Sequence, residues 1–441
     1  MNHLIITSDN NIGYPDNQPC LEDYAECAET LKKLAEHTLQ EMKNDNPNLL
    51  VFPQDLYEYG DKIGDEHIFE IKDNKLVTGN IMGFIGHNNT KVRIRSRFDT
   101  GNKDYFLHYM LQKVFAINLF DLNYNIDEED IFDFLIYLFP TFLRNALRQG
   151  LYKEYQTRKY NDSNVKGRID VNRHIQRNIP FNGRVAYSTR EYVYDNHVTQ
   201  LIRHTIEYIS RHRFQGEILR ANEDIKEAVR EIIDATPTYN RNERLKVINQ
   251  NLRPIYHPYY REYRDLQRLC LHILRHEEIK YGSDDDQIYG VLFDGAWLWE
   301  EYLNIILKEC GFTHPQNKIS KGKIYLFKDG SCPRYPDFYK EGFVLDAKYK
   351  GYENTKIQNV DGDDLHQIIT YMYSLEATQG GFVVPFRWNE EITQPKELNG
   401  YKGKLGIYGL RVEYSCPNYQ QFVSLIQRQE DALKKHIISI V

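Results

Sequence analysis

The chain has 441 residues, six cysteines, 27% charged residues and a formal net charge of −7. A chain of this length predicts two or three domains, each able to bury its own core. The cysteines include no Cys-x-x-Cys pair, which argues against a structural zinc site, an iron–sulfur cluster and a disulfide framework. The sequence has no secretory signal and no apolar stretch of about 18 residues, so we expect a cytoplasmic protein without a membrane span.

The N-terminal segment, residues 1–100, is predicted to form an α+β module. Its strand-like runs are Leu4–Thr7, Leu50–Phe52 and Phe69–Ile71. A single amphipathic helix is predicted between Leu21 and Met42. Alternation of these elements is typical of a small layered domain.

The middle segment, residues 101–280, is predicted to be mainly helical. Apolar residues recur at helical spacing in four stretches, namely Ile131–Leu147 (broken or kinked at Pro140), Val198–Ile209, Ile225–Ile233 and Leu266–Ile279. The 34 tyrosines and 21 phenylalanines of the chain are expected to be mainly packing residues. We expect this segment to bind a partner or DNA.

A basic stretch runs from Arg144 to Arg190, with eleven lysines and arginines against three acids. On an acidic protein such a stretch is a candidate phosphate-binding face, whose binding would depend on salt more than on sequence. The alternative is a solvated surface whose cations pair with acids elsewhere. The candidate DNA- or partner-binding residues are Arg148, Lys153, Arg158, Lys166 and Arg168.

The C-terminal segment, residues 281–441, is predicted to form an α/β domain. A helix is predicted over Leu292–Leu307, with Asp294 as its N-cap. A strand hairpin follows between Tyr335 and Lys348, and then a second helix begins near Asp363. The last two elements are buried strands, Gly380–Phe386 and Leu405–Val412.

Asp337, Asp346 and Lys348 are candidates for a metal-dependent nuclease centre. Residues Phe343–Lys348 alternate like a strand, so Asp346 and Lys348 share one face. A turn at Lys340–Gly342 allows a hairpin that brings Asp337 alongside. Two carboxylates suit Mg²⁺, with Mn²⁺ as a substitute, and the lysine would stabilise charge at a phosphate. The alternative is a solvated charged hairpin, because Asp, Glu and Lys are common in this chain.

Two predicted helices supply further candidates. Glu300, or its neighbour Glu301, could reach the metal from the first helix, although an exposed pair of acids is the alternative. Gln367 and Tyr371 lie four residues apart on the second helix and share one face, which could meet a phosphate or the lysine.

These residues carry a family resemblance. Pro336–Asp337, Asp346-x-Lys348 and Gln367-x-x-x-Tyr371, in this order of elements, resemble the PD-(D/E)xK nuclease superfamily and its RecB-like branch. Further segments resemble the McrC family, the nuclease subunits of McrBC 5-methylcytosine-specific restriction systems. They are Leu292–Tyr302, Gly79–Gly86, Lys91–Phe98, Phe106–Met110, Gly150–Tyr155 and Lys166–Asp170. The sequence departs from the family at Ser96–Arg97, where a Pro-Lys pair is usual.

The resemblance implies that Asp337, Asp346 and Lys348 form the catalytic core, that Glu300 is the helix acid, and that Gln367 and Tyr371 support them. It also implies cleavage of double-stranded DNA, with transient self-association during cutting, and docking of the N-terminal region into a hexameric AAA+ GTPase of the McrB kind. The chain has no Gly-x-x-x-x-Gly-Lys-[Ser/Thr] loop, so NTP hydrolysis would belong to that partner. The alternatives are a stand-alone Mg²⁺ nuclease, RecB-like or Holliday-resolvase-like, and an inert scaffold subunit.

Overall fold

The computed structural model describes residues 3–12, 18–46, 49–53, 56, 63–88, 90–98, 104–115, 130–211, 216–220, 222–275, 288–315, 322–349, 357–387, 394–400, 403–413 and 415–440. The chain divides into two compact units. The first unit combines Met1–Ile131 with Gly282–Val441, and the second unit is Phe132–Tyr281. The predicted segments 1–100 and 281–441 therefore meet in one unit. The mixture of helices and several sheets confirms the α+β class.

The described residues in the N-terminal part of the first unit form six strands and three α-helices. They are β1 (His3–Ser8), α1 (Ala28–Glu36), α2 (Leu39–Asp45), β2 (Leu49–Phe52), β3 (Phe69–Lys72), β4 (Lys75–Thr78), β5 (Ile81–His87), β6 (Thr90–Arg95) and α3 (Tyr105–Val114). The three predicted strands are present. The single helix predicted between Leu21 and Met42 is wrong, because the chain is extended at His37 and Thr38 caps α2 through a reciprocal hydrogen-bond pair with Glu41.

A five-stranded sheet in the order β1-β6-β5-β10-β2 joins this part to the C-terminal segment. Strand β10 (Ile288–Asp294) is antiparallel to β5 and parallel to β2. Gly83 and Gly290 lie where β5 and β10 approach most closely, and a Cβ at either position would overlap the backbone of the opposite strand. The described part of the C-terminal segment therefore begins with a strand of the N-terminal sheet, and Leu292–Asp294, the first residues of the predicted helix, are the last residues of that strand.

The described residues of the second unit form six α-helices and a small sheet. Its elements are α4 (Asp130–Leu147), β7 (Glu154–Asp162), β8 (Arg168–Ile169), α5 (Val171–Asn178), β9 (Val185–Val193), α6 (His197–Arg211), α7 (Glu223–Ala235), α8 (Arg244–Gln250) and α9 (Glu262–Leu274). Helix α4 continues through Pro140, so the chain is not broken at that residue. The antiparallel sheet β7-β9-β8 was not predicted, because β7 has no alternating apolar residues and none of its residues is buried.

The C-terminal part of the first unit is a five-stranded sheet with helices packed against it. After α10 (Gly295–Lys308), its elements are β11 (Ile324–Tyr325), β12 (Pro333–Arg334), β13 (Phe338–Lys340), β14 (Phe343–Ala347), α11 (Gly362–Ser374), β15 (Gln379–Arg387), β16 (Lys396–Glu397), β17 (Lys404–Val412) and α12 (Tyr419–Ile440). The sheet order is β13-β14-β15-β17-β16, and the three central strands are parallel. The predicted order of helix, hairpin, helix, strand and strand is confirmed.

Helix α11 covers one face of this sheet. Its residues Ile368 and Met372 pack with Val344, Phe382 and Ile407 in a single apolar cluster. Since alternate residues of a strand face opposite sides, Val344, Asp346 and Lys348 all point towards α11. No helix in the described part of the chain combines the length and apolarity needed to cross a bilayer.

Candidate active site

The candidate site is built on the β13–β14 hairpin. Phe338 pairs with Leu345 and Lys340 with Phe343, around a turn in which Gly342 has a φ of 72°. The same antiparallel register places Asp337 level with Asp346. The Oδ2 atom of Asp337 accepts a hydrogen bond of 2.7 Å from the backbone N–H of Ala347. The predicted hairpin is confirmed, and it holds Asp337 beside the strand that carries Asp346 and Lys348.

Lys348 is clamped between two carboxylates. Its Nζ lies 2.8 Å from Oδ2 of Asp346 and 3.2 Å from Oδ1 of Asp364. Burial disfavours the charged form of Lys348, but Asp346, Asp337 and Asp364 outweigh this, so that the pKa lies well above its usual range. The lysine is therefore a permanent cation at neutral pH. Asp346 is only 2% exposed, so its charge depends on this pairing.

Asp364 is a site residue that the sequence did not identify. It lies in the first turn of α11, where an acid is expected simply for its favourable interaction with the helix dipole. The available signal was its spacing, because Asp364, Gln367 and Tyr371 recur on one helix face. Only the packing of α11 on the sheet indicates that this face meets Lys348.

Glu300 is connected to the hairpin through His314. Its Oε1 lies 3.8 Å from Nδ1 of His314, and the same nitrogen is 2.8 Å from the carbonyl oxygen of Asp337. Because a carbonyl only accepts, Nδ1 carries the proton. The His314 ring also stacks on Phe338, with centroids 5.0 Å apart. This arrangement favours Glu300 over Glu301 as the acid that faces the site. His314 lies beyond the end of α10, and no sequence pattern identified it.

Helix α10 starts where the sequence predicts. The side chain of Asp294 accepts a hydrogen bond of 2.7 Å from the backbone N–H of Trp297, which is N-capping geometry. The helix is fixed from its other side, because the indole N–H of Trp299 donates to the carbonyl of Val383 on β15 at 3.1 Å. The position of Glu300 relative to the sheet is thus determined by buried neighbours on both sides.

Gln367 and Tyr371 lie on one face of α11, as their spacing predicts, and they are hydrogen-bonded to each other. The Gln367 amide donates to the phenol oxygen of Tyr371 at 3.0 Å. Burial raises the pKa of Tyr371, the hydrogen bond from Gln367 lowers it, and the carboxylates of Asp337 and Asp346 raise it. The phenol is therefore neutral and within the electrostatic range of both aspartates. Gln367 is exposed and Tyr371 is buried.

The described residues contain no group of three or more His, Cys, Asp and Glu side chains arranged to hold a metal ion. The structure brings Asp337, Asp346, Asp364 and Lys348 together. Glu300 contacts His314, which in turn contacts the backbone of Asp337. This donor set still fits Mg²⁺, which commonly binds to one or two carboxylates and completes its shell with water and substrate phosphate. Asp337 and Asp346 provide two such carboxylates on adjacent strands.

A buried ion pair supports the residue that follows Lys348. Arg97 Nη1 lies 2.7 Å from Oδ2 of Asp9, with side-chain exposures of 4% and 0%. The other guanidinium nitrogen, Nη2, donates to the carbonyl of Tyr349, and the guanidinium lies over the Tyr349 ring at 4.5 Å. Burial raises the pKa of Asp9 although Arg97 opposes the shift. Arg97, the position where the sequence departs from the resembled family, therefore links the N-terminal strands to the segment that follows β14.

The five candidate basic residues all lie in the second unit. Arg148, Arg158, Lys166 and Arg168 are exposed. Lys153 lies 4.4 Å from the ring centre of Tyr194, and Arg158 is 3.9 Å from Glu191 on β9. The structure brings Arg158 and Arg168 onto one small sheet but assigns none of the five a ligand.

Tyrosines accompany these cations on the same sheet. The rings of Tyr155 and Tyr192 stack at 4.7 Å, and Arg190 lies over Tyr155 at 4.8 Å. Tyr155 is 61% exposed. Tyr155 is thus an exception to the expectation that the aromatic residues are mainly packing residues, whereas Tyr187 on the same sheet is buried.

Comparison with known proteins gives one family and one fold. A family model described as "McrBC 5-methylcytosine restriction system component" matches residues 76–385. A chain of the refined half-complex from a tetradecameric assembly of Thermococcus gammatolerans McrB AAA+ hexamers with bound McrC is 15% identical. That match covers 100% of both chains with a TM-score of 0.54. A chain of the Thermococcus gammatolerans McrBC complex determined by cryo-EM is also 15% identical, with 71% and 90% coverage and a TM-score of 0.35. No curated protein matches the sequence.

Proposed function

The chain belongs to the McrBC 5-methylcytosine restriction system component family, and we propose that within such a system it is the subunit that cuts DNA. The proposed reaction is Mg²⁺-dependent hydrolysis of phosphodiester bonds in double-stranded DNA by a PD-(D/E)xK centre. The observation that carries the proposal is the hairpin geometry, in which Asp337 lies level with Asp346 and Lys348 is paired with Asp346 at 2.8 Å. A merely solvated hairpin would not bury Asp346.

Asp337 and Asp346 would hold the Mg²⁺ ion, with Mn²⁺ as a substitute, and Glu300 would contribute from behind His314. When bound, the cation supplies a water of lowered pKa and stabilises the charge that builds up on the phosphorus. Lys348 has a fixed charge because its partners keep it protonated, and it orients a phosphate oxygen or the attacking water. Tyr371 and Gln367 orient the polar groups next to the aspartates. His314, which contacts both Glu300 and the backbone of Asp337, fixes the position of Glu300 relative to the hairpin.

The proposal includes a partner. The solved assembly with the same fold consists of McrB AAA+ hexamers with bound McrC. By analogy, we expect this chain to bind an AAA+ GTPase hexamer of the McrB kind and to stimulate its NTP hydrolysis. The second unit offers a suitable surface along α5 and its flanking segments, because exposed large apolar side chains mark protein interaction sites. These exposed residues are Ile169, Val171, Ile175, Ile179 and Phe181.

The decisive experiment is cleavage of methylated duplex DNA by the chain, with and without its AAA+ partner and NTP. Asp346→Asn and Lys348→Ala should each lower the cleavage rate by a factor of about a hundred to a thousand or more, while stimulation of the partner's NTPase persists. Glu341→Gln, at the exposed turn of the same hairpin, is the matched control. Full cleavage by both site variants would overturn the assignment, and cleavage without partner and NTP would indicate a stand-alone nuclease.

The partner surface is tested separately. Ile175→Glu, at the exposed centre of α5, should abolish stimulation of the partner's NTPase without changing the unfolding transition of the chain. Ile438→Glu replaces a similarly exposed isoleucine at the end of α12 and serves as the control. Normal stimulation by the Ile175 variant would exclude this helix as the docking surface.

A further inference from the structure

A polar cavity lies in the second unit, on helices that carry no residue of the proposed nuclease site. Its volume is about 350 Å³, which is within the range of pockets that bind small ligands. One wall is formed by α6, where His204, Tyr208 and Arg211 recur at helical spacing on one face. Tyr239, Arg241 and Arg244 line the opposite side. We call this cavity the arginine pocket.

The arginine pocket carries an excess of positive charge. Three arginines line it, and the acid among the described lining residues is Glu207. That carboxylate is already bound by Arg203, whose Nη2 and Nε lie 2.8 and 3.1 Å from Oε1. The nearby Glu243 is paired with Lys246 at 3.0 Å. The pocket therefore retains uncompensated guanidinium charge.

The three arginines differ in side-chain mobility and exposure. Arg244 donates to the carbonyl of Leu274 and lies over the ring of Tyr208 at 5.2 Å, so it is held in place. Arg211 is 48% exposed and lies 3.9 Å from Glu207. Arg241 is also exposed. Guanidinium groups arranged in this way match the oxygens of a phosphate, to which each can donate two hydrogen bonds.

His204 provides an independent sign of a ligand. It lines the pocket, is 4% exposed, and its Nε2 has no hydrogen-bond partner among the described residues. Its ring lies against Tyr239 at 4.7 Å. Burial and the charges of Arg244 and Arg203 lower its pKa to about 4, so the imidazole is neutral at pH 7. A buried polar atom without a partner is rare in folded proteins, and a ligand oxygen would satisfy it.

We propose that the arginine pocket binds the phosphate of a nucleotide. Arg211, Arg241 and Arg244 contact the phosphate oxygens, the neutral His204 donates one further hydrogen bond, and the tyrosines border the nucleoside. The volume fits one nucleotide and not a duplex. Two sources supply this chemistry, a free nucleoside monophosphate and the 5′-phosphorylated end of a DNA strand. The inference is independent of the proposed nuclease function, because it uses no residue of the hairpin site.

The test is a titration of the full chain in a buffer with EDTA. The probes are AMP, adenosine, and a short single-stranded oligonucleotide with or without a 5′-phosphate. AMP or the phosphorylated oligonucleotide should bind more tightly than its unphosphorylated counterpart. Arg211→Gln and Arg241→Gln should each weaken that binding by about tenfold to a hundredfold. Arg230→Gln, an exposed arginine on α7, is the matched control and should bind like the unmodified chain.

The two sources are distinguished by which probe loses affinity in the arginine variants. Loss for AMP identifies a free nucleotide, and loss for the phosphorylated oligonucleotide alone identifies a strand end. The ¹⁵N resonance of His204 Nε2 should shift on binding in the unmodified chain and in Arg230→Gln, which separates a local contact from a general loss of charge. Equal affinity in all variants, or no binding of any probe at about 10 mM, would overturn the proposal.

Discussion

The two compact units use charged residues in opposite ways. In the first unit, Asp346 is 2% exposed and Lys348 is fixed between two carboxylates. In the second unit, Arg190 lies on the face of Tyr155, which is 61% exposed. A buried charge must have a fixed partner, which places it accurately enough for chemistry. An exposed cation on an aromatic ring keeps its freedom and suits contact with an extended anionic surface.

Removal of divalent cations should separate the two units most clearly, because it should affect DNA cleavage much more than DNA binding. Chelation with EDTA is expected to abolish cleavage, because Asp337 and Asp346 need the cation to act on phosphate, and Mg²⁺ or Mn²⁺ should restore it. Binding of DNA through the exposed cations of the second unit should change little in the same buffer. Cleavage assays and DNA-binding titrations on one sample measure both. Cleavage that persists in EDTA would contradict the proposed requirement for a divalent cation at Asp337 and Asp346.

Arg97→Ala should reduce stability more than the loss of any exposed arginine. It removes the cationic partner of the buried Asp9 carboxyl, and we expect a loss of about 3 to 5 kcal/mol in the free energy of unfolding. Chemical denaturation checks this value, and Arg190→Ala in the second unit should cost less than about 1 kcal/mol. Adding Asp9→Asn to Arg97→Ala should recover part of the loss. Equal effects of the two single arginine substitutions would break the contrast between buried and exposed charge.

Each unit also contains a buried histidine that makes it sensitive to acid. Burial, with Arg93 nearby, lowers the pKa of His108 to about 4, and the pKa of His204 is lowered to the same value. Since the unfolded pKa is about 6.5, the unfolded chain binds more protons between pH 6.5 and 4, and the free energy of unfolding falls as the pH drops through this window. We expect about 2 kcal/mol per histidine after relaxation of the protein.

Urea unfolding at pH 7 and pH 5 measures this loss. His108→Gln should reduce the pH dependence of the first unit, and His204→Gln that of the second. A pH dependence that neither substitution changes would assign the acid sensitivity to other groups.

The smallest effects are expected on the exposed basic sheet. Lys166→Gln and Arg168→Gln should each weaken DNA binding a few-fold and reduce the salt dependence by about one phosphate contact. The same variants should stimulate the partner's NTPase normally if the sheet contacts DNA. Lys32→Gln, an exposed lysine on α1, is the control. The opposite result, normal DNA binding with lost stimulation, would assign these cations to the partner interface.

The elements that could be predicted from the sequence are those formed between neighbours in the chain. The hairpin around Gly342, the N-cap at Asp294 and the Gln367–Tyr371 pair depend on residues at most ten positions apart. The sheet β7-β9-β8 was missed because its polar strands lack apolar alternation. A single helix is predicted between Leu21 and Met42 because the helical spacing of apolar residues continues across Thr38. In the structure, the capping hydrogen bonds of Thr38 begin a new helix.

Sequence by itself determined which residues are candidates for the chemistry. A carboxylate and a lysine two apart on a strand, with a second aspartate across a turn, share a face because of strand geometry alone. Only the tertiary structure decided what surrounds them. Asp364, His314 and the Asp9–Arg97 pair reach the site from separate elements, and β10 joins strands some 200 residues earlier in the chain. These contacts depend on which helix and strand faces are buried together, and burial is a property of the whole packed core.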